Sequence, residues 1–276
     1  MLSRYVDPLH RSHMIRFVWD QRVAGEIVLA AILWLRGFPD QAMRTARRTI
    51  ERARASDHAI SLCYTLARAA CPVAFWVGDL ASAERYVSML LEHSTRLAMA
   101  VWQAEGRCFE GMLLIKRDRN DAGLRLLRTA FAELLETGSS LRQAAFLCSL
   151  AEGLAATGRV AGGRAAIAEA FRRSESCEEG WCIPELLRVE GELVLLENAH
   201  NAVGTAEDHF RQALDLARRQ GALSWELRTA TSLAQMWRGQ GRSDEARQLL
   251  APVYDQFTEG FETADLTAAR ALLGSL

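Results

Sequence analysis

Two cysteines, Cys177 and Cys182, are the closest pair of thiols in the sequence, with four residues between them. Thiolates at short spacing bind zinc when a second pair of ligands completes a tetrahedral site. No second pair follows at a matching spacing, so the pattern favours two free thiols over a metal site. The other cysteines, at 63, 71, 108 and 148, lie in apolar stretches where a thiol packs as a small hydrophobic group.

Motifs that carry catalysis or nucleotide binding are missing from the sequence. It contains no HExxH, no GxSxG and no GxxxxGK[ST] phosphate loop. The nearest glycine-rich string, at 161–164, lacks the lysine and the hydroxyl residue of that loop. The seven tryptophans could form a ligand cage, but at helical spacing they favour packing between helices. The sequence therefore predicts no catalytic residue, no metal and no cofactor.

Charge and hydropathy narrow the class of protein further. The chain has 33 Lys and Arg against 34 Asp and Glu, so its net charge of −1 gives no basic surface for direct nucleic-acid binding. The longest apolar run, 23–35, is interrupted by Glu26 and is shorter than the roughly 20 residues that a membrane-spanning helix needs. With no secretory signal at the first residues, we expect a cytoplasmic protein without a membrane partner.

A helical unit recurs along the chain with a period near 41 residues. Each unit has an apolar helix, a short polar turn, and a second amphipathic helix that opens with a small residue. Aligned on that small residue, the units give Ala42, Ala83, Ala122, Gly163, Ala206 and Ala246. A small side chain lets two helices of a hairpin cross closely, and glycine supplies the positive φ that ends the first helix.

This pattern predicts an all-α chain of six helical hairpins within one domain, residues 1–276. The first (A) helices are expected near 22–36, 59–76, 98–115, 140–156, 184–197 and 223–238, and the second (B) helices near 40–55, 81–95, 121–136, 161–173, 203–219 and 243–257. A leading helix near 4–19 and a final helix near 263–273 flank them. Pro72 is expected to bend or end its helix, and 174–182 to form a mobile connection.

The unit resembles the tetratricopeptide repeat. Ala206, Phe210 and Ala213 match the start of its B helix, and Ala234, Trp237 and Gly241 match the end of its A helix and the turn. The period exceeds the usual one by about seven residues, which implies longer helices or connections. The resemblance implies a right-handed α-solenoid whose A helices line a concave face.

Longer phrases are similar to a narrower family, the C-terminal repeat domain of large bacterial proteins that carry a signalling ATPase. These phrases are LWLRGFPDQA (33–42), PELLRVEGELVLL (184–196), RRQGALSWELRTATSLAQMW (218–237) and LLAPVYDQFTEGFETADL (249–266). Such proteins begin with a winged-helix DNA-binding domain or a class III nucleotide cyclase. This resemblance implies a regulatory repeat domain, either a stand-alone protein or a fragment.

Tetratricopeptide geometry also implies which side chains face the concave groove. With Ala30, Cys71, Gly111, Ala151, Gly191 and Ala234 at the eighth place of each A helix, the polar groove candidates are Arg68, Glu105, Glu152, Arg188, Glu192, Arg228 and Gln235. Their mixed charge favours a polar peptide or another protein domain as partner. An intrahelical ion pair between Arg188 and Glu192 is the competing interpretation.

Three functions stay open at this stage. The first is a non-catalytic regulatory scaffold or sensor that binds a partner and controls an ATPase-linked output. The second is a stand-alone adaptor that binds peptides. The third is an all-α enzyme whose site carries no known motif. A deep pocket with convergent titratable groups would favour the third, and an open groove would disfavour it.

Overall fold

The computed structural model describes residues 21–56, 58–197 and 200–276, and within these ranges it contains helices and no strand. The predicted leading helix, 4–19, lies outside them. Thirteen helices are described: α1 Gln21–Leu35, α2 Pro39–Ala55, α3 Ala59–Val77, α4 Leu80–Arg96, α5 Ala100–Lys116, α6 Asn120–Glu136, α7 Gln143–Ala156, α8 Val160–Ser176, α9 Ile183–Leu196, α10 Ala202–Gln220, α11 Leu223–Gly239, α12 Ser243–Tyr254 and α13 Ala264–Leu273.

The helices pair into six consecutive hairpins, α1 with α2 through α11 with α12, and α13 packs on the last hairpin. The all-α solenoid predicted from the repeat is confirmed, and most helix ends lie within three residues of the predicted ends. The turn between α3 and α4 shows how the sequence sets one such end. Gly78 has a φ of +79°, which ends α3, and the Asp79 carboxylate then accepts a hydrogen bond from the Ser82 amide at 2.9 Å to begin α4.

Small residues bring the two helices of a hairpin into backbone contact, as predicted. A Cβ atom placed on Gly123 in α6 would lie 2.7 Å from the carbonyl oxygen of Gly111 in α5. Likewise, a Cβ on Gly163 in α8 would lie 3.2 Å from the Ala151 carbonyl oxygen in α7. The alignment of the third unit on Ala122 was wrong by one residue, because Gly123 is buried at the close contact and Ala122 is half-buried.

Of the two effects expected of Pro72, bending its helix or ending it early, the second does not occur. The helix continues to Val77, and a π-helical segment, Leu66–Ala70, precedes the proline. The Cys71 amide bonds to the Leu66 carbonyl, one residue farther back than in an α-helix. Because proline has no amide hydrogen, this wider turn keeps the neighbouring backbone groups bonded while the helix runs on.

The segment 174–182, which we expected to form a mobile connection, is helical at both of its ends. Helix α8 extends to Ser176, and a 3₁₀ turn at Gly180–Cys182 leads directly into α9. The buried hydroxyl of Ser174 donates a hydrogen bond to the Glu179 carbonyl at 2.7 Å. Trp181 and Cys182 then pack inward, so this polar stretch is a structured turn that carries side chains into the interior.

The stack of hairpins curves until its last helices contact its first. Ser224 at the start of α11 hydrogen-bonds to the backbone of Trp34 in α1. In the loop after α12, the Glu259 carboxylate accepts from the backbone amide and the side-chain amide of Gln41, at 2.9 and 3.1 Å. The Gly260 amide donates to Asp40 at 3.0 Å. We call this junction between the first and last hairpins the seam, and it encloses the concave side of the solenoid.

Helix α3 is the described helix long and apolar enough to cross a membrane by length and composition. About three-quarters of its apolar window, 72%, is buried against neighbouring helices. That burial accounts for its composition, as in the core helix of a soluble protein. Helix α3 is also longer than the apolar run at 23–35.

Candidate functional site

Four tryptophans from distant parts of the chain form a closed ring of contacts beside the seam. Trp34 lies 4.6 Å from Trp225 and 4.7 Å from Trp76 between ring centroids. Trp181 completes the ring, 5.8 Å from Trp76 and 6.3 Å from Trp225. The Trp225 indole also donates a hydrogen bond to the Trp181 carbonyl at 3.0 Å. These four residues, the tryptophan ring, join the first, second and last hairpins to the turn before α9.

Two arginines stack on the tryptophan ring. The Arg228 guanidinium lies 5.2 Å from the Trp34 ring and 5.1 Å from the Trp225 ring. Arg142 lies 5.5 Å from Trp76 and 5.9 Å from Trp181. At these distances a cation is attracted to the face of an indole. The predicted packing role of the tryptophans therefore holds for this group, although three of the four also border a cavity.

A cavity of about 460 Å³ opens on the concave side below the tryptophan ring. Its volume lies in the range of sites that take a small molecule or a short peptide segment. Helices α3, α5, α7, α9, α11 and α13 contribute to its walls. Five of the seven predicted groove residues line it, namely Glu152, Arg188, Glu192, Arg228 and Gln235.

The other two predicted groove residues, Arg68 and Glu105, lie in the protein interior and not on an accessible groove. Arg68 is 7% exposed, Glu105 is fully buried, and their side chains pair at 2.5 Å. The Arg142 side chain donates a hydrogen bond to the Arg68 carbonyl at 2.9 Å. Burial raises the pKa of Glu105 despite its arginine neighbours. Burial and the charge of Arg68 lower the pKa of Arg142 to about 10.

A continuous network of ion pairs runs across the floor of the cavity. Arg188 contacts Glu185 at 2.7 Å, Glu192 at 2.5 Å and Glu152 at 3.2 Å. The predicted Arg188–Glu192 pair is thus present, but as one member of a larger network. Lys116 contacts the other oxygen of Glu152 at 3.1 Å. Arg188 of α9 thus contacts Glu152 of α7, and Glu152 in turn contacts Lys116 of α5.

Arg228 extends this network to the seam. It pairs with Glu185 at 3.0 Å and with Asp265 of α13 at 2.8 Å. Its remaining terminal nitrogen donates to the Trp76 carbonyl at 3.0 Å. One guanidinium on α11 thus links the end of α3, the start of α9 and the capping helix α13.

The charged groups of the cavity stabilise one another in their ionised forms. Burial alone would raise the pKa of Glu185, but Arg188 and Arg228 outweigh it and lower the pKa to about 2. Burial likewise opposes the ionisation of Glu152, but Lys116 and Arg188 lower its pKa. The Glu152 charge raises the pKa of Lys116. At neutral pH these groups are therefore charged.

Sequence reasoning missed three charged residues of the cavity, Lys116, Glu185 and Asp265. Glu185 stands at the second place of its A helix, the same place as Arg228, so the repeat alignment contained the signal that would have identified it. Lys116 is the only lysine of the chain and falls one place past the repeat position that faces the groove. Asp265 belongs to the capping helix, which has no repeat position at all.

Among residues 21–56, 58–197 and 200–276, no cluster of three or more His, Cys, Asp or Glu side chains could hold a metal ion. Cys177 and Cys182 are free thiols, as are the other cysteines. Burial raises the pKa of Cys182 to about 12 and also raises that of Cys148, the second thiol at the cavity wall. Both thiols are therefore protonated at neutral pH.

No protein-family model matches the chain, and no curated protein matches it. The solved structures that share its fold include BtubC and RapI. BtubC from P. vanneervenii has a TM-score of 0.53 and 15% identity, with 86% of this chain and 93% of that chain covered. RapI, in its apo form, has a TM-score of 0.50 and 11% identity, with 93% of this chain and 70% of that chain covered. At such identities the likeness concerns the fold alone, that of a helical-repeat protein.

Proposed function

We propose that this protein is a non-catalytic regulatory repeat domain whose central cavity binds a short peptide or a small polar molecule. The observation that carries the proposal is the cavity itself, which gathers five predicted groove residues from separate hairpins into one space of about 460 Å³. Paired charges, hydroxyls and indole edges line it, a mixture suited to orienting a polar ligand. The fold likeness to RapI adds support, since an apo form implies that RapI takes a ligand.

A ligand bound in the cavity can affect the packing of distant parts of the chain. Arg228 and the tryptophan ring connect the cavity to the seam, so a ligand that alters their positions alters how the first and last hairpins meet. A regulatory domain needs such a link between its ligand and its surface. We therefore propose that the domain acts in the cytoplasm as the sensor or scaffold of a bacterial ATPase-linked transcriptional or cyclase system.

A pair of variants on α13 tests the binding role of the cavity. Ala268 and Ala271 are both exposed on this helix, but only Ala268 borders the cavity. Purified protein is incubated with a random tripeptide library, and retained peptides are identified by mass spectrometry after rapid gel filtration. Wild type and Ala271→Trp should retain the same peptides, and Ala268→Trp should lose them because its indole fills the space. A folded wild type that retains nothing would overturn the proposal.

The two alternatives predict different results. A stand-alone adaptor would bind its peptide without forming a complex with the ATPase region of a neighbouring gene, whereas the sensor should co-elute with that region on gel filtration. An enzyme would use the same cavity, which does collect titratable groups. Burial raises the pKa values of Cys148 and Cys182, which disfavours a thiolate nucleophile and supports binding over cysteine catalysis.

A further inference from the structure

Negative charge exceeds positive charge around the cavity and the hollow beside it. A second space of about 310 Å³ adjoins the cavity and shares Lys116, Glu152 and Glu192 with it. Asp118 lines this second space as well. Together the two spaces present three cationic side chains, Lys116, Arg188 and Arg228, and five carboxylates, Asp118, Glu152, Glu185, Glu192 and Asp265. A concave surface with this balance of charge attracts a cation.

The hydrogen bonds within the network also favour a cationic ligand. Each nitrogen of Arg188 already donates to a carboxylate, and each nitrogen of Arg228 donates to a carboxylate or to the Trp76 carbonyl. Every arginine nitrogen of the network is therefore already engaged by the protein's own acceptors, and Lys116 donates to Glu152. By contrast, the Oε2 atom of Glu192 and the Oδ1 atom of Asp265 accept no hydrogen bond from the described part of the chain. These two oxygens are therefore available to a donor group of a ligand.

Glu192 is the best-placed of these acceptors. Its side chain is 42% exposed and borders both spaces, while its Oε1 atom is held by Arg188 at 2.5 Å and by the Ser232 hydroxyl at 2.8 Å. One oxygen thus fixes the carboxylate, and the other accepts no hydrogen bond from the described part of the chain. A carboxylate held in this way loses little freedom when it takes a ligand.

We propose that the cavity selects a ligand with an ammonium or guanidinium group, and that the free oxygen of Glu192 is its anchor. This proposal rests on the binding role proposed above and adds the charge of the ligand. A basic side chain of a short peptide and a free amine such as a polyamine share this chemistry. Asp118 and Glu152 extend the acidic surface along which the rest of a cationic ligand would lie.

Four probes test the charge preference on the whole chain. Three are N-acetylated, C-amidated tripeptides, Ala-Arg-Ala, Ala-Gln-Ala and Ala-Glu-Ala, and the fourth is agmatine, a small dication with one guanidinium and one ammonium group. Binding is followed by calorimetry and by the indole N–H signals of the tryptophans in NMR spectra. The arginine peptide should bind at least about tenfold more tightly than the glutamate peptide, and its affinity should fall with added salt. Agmatine binding as tightly as the arginine peptide would assign the ligand to the free amines, and weaker binding would assign it to the peptides.

Two charge-neutralising variants locate the anchor. Glu192→Gln should weaken the arginine peptide about tenfold and leave the glutamine peptide unchanged, because a single charge contact is removed. Glu245→Gln makes the same change in a half-exposed surface pair with Arg242 that lines neither space, and should alter nothing. Equal or tighter binding of the glutamate peptide, or no effect of Glu192→Gln, would overturn the inference.

The same measurements separate this inference from the proposed function. If the tripeptide library is retained but its members are neutral or acidic, the cavity binds ligands and the charge assignment is wrong. If no probe of any charge binds the folded protein, both fail together.

Discussion

The hydroxyl of Ser224 donates a hydrogen bond to the backbone carbonyl of Trp34, although 190 residues separate them in sequence. Both residues are buried, at 5% and 2% exposure. This bond marks the point at which the last hairpin meets the first, next to the tryptophan ring and the cavity.

Replacing Gly78 should destabilise the fold by more than the backbone strain of its turn alone. It has a φ of +79°, and a Cβ there would lie 2.6 Å from the Cβ of Ala264 in α13. Gly158 has a φ of +73° with no atom near, so Gly158→Ala should cost only the left-handed strain of about 1–2 kcal/mol. Gly78→Ala should lose about 1–3 kcal/mol more through the clash with α13. Urea unfolding measures both losses, and equal losses would show that the contact between Gly78 and α13 adds no packing energy.

Gly123 and Gly162 provide a second comparison, since each lies in the first turn or so of a B helix. Gly123→Ala would drive a methyl group into the backbone of Gly111 and should destabilise the fold by about 2–4 kcal/mol. Gly162 meets only the Leu154 side chain, at 3.5 Å, so Gly162→Ala should be neutral or stabilise by up to about 1 kcal/mol. Thermal and urea unfolding test the difference. Tolerance of alanine at 123 would contradict the close approach of α5 and α6.

The buried pair of Arg68 and Glu105 should contribute little net stability. Replacing only one of the two residues should nevertheless destabilise the protein strongly, because the other charge is left buried without a partner. Glu105→Leu leaves the Arg68 charge uncompensated and should destabilise the protein by about 3–5 kcal/mol. The double variant Arg68→Met with Glu105→Leu removes both charges and should recover most of that loss. Three atoms of the pair, Nε and Nη1 of Arg68 and Oε2 of Glu105, have no hydrogen-bond partner, which favours the apolar replacement. A double-mutant cycle measured by urea unfolding tests this recovery. A double variant as unstable as Glu105→Leu would contradict the prediction.

Glu185 should make stability depend on pH in acid. Its pKa in the folded protein is about 2, below the ordinary value of 4.5. The stabilisation from its ion pairs is therefore complete above pH 4.5 and is lost as the pH falls toward 2. We expect Glu185→Gln to lose about 3 kcal/mol at neutral pH, on the scale of 1.4 kcal/mol per pKa unit, and to converge with wild type in acid.

A surface control separates this effect from general acid unfolding. Glu84 pairs with Arg117 where both side chains are well exposed, so Glu84→Gln should change the pH profile little. Urea unfolding across the acid range compares the three proteins. A Glu185→Gln profile parallel to that of wild type would show that the buried network does not set the acid dependence.

Much of the fold was predictable because its causes are local. Glycine at a turn, a small residue at the start of the next helix, and apolar residues at helical spacing each act on their near neighbours, so Ala42, Ala83 and Gly163 indicate their hairpins directly. The error of one residue at Ala122 arose where two adjacent small residues, Ala122 and Gly123, offered the same signal. The structure distinguishes them because only one faces Gly111.

The candidate site was predictable only in part. Glu152, Arg188 and Arg228 stand at repeat positions expected to face inward, and all three line the cavity. A repeat position does not tell whether a side chain lies at an accessible surface or in the interior. For this reason the sequence did not reveal that Arg68 and Glu105 are buried. Asp265 and Trp181 come from a capping helix and a turn, outside any repeat, so no periodic pattern could bring them to the cavity.

The sequence by itself determined the type of element, the number of hairpins and the faces that their helices present. Tertiary structure alone decided that the stack curves far enough for Ser224 to reach Trp34 and for the tryptophan ring to close. The physical reason is that each hairpin adds a small rotation set by many packing contacts, and these rotations accumulate over six units. No single residue encodes their sum, yet that sum encloses the cavity and gathers its charges.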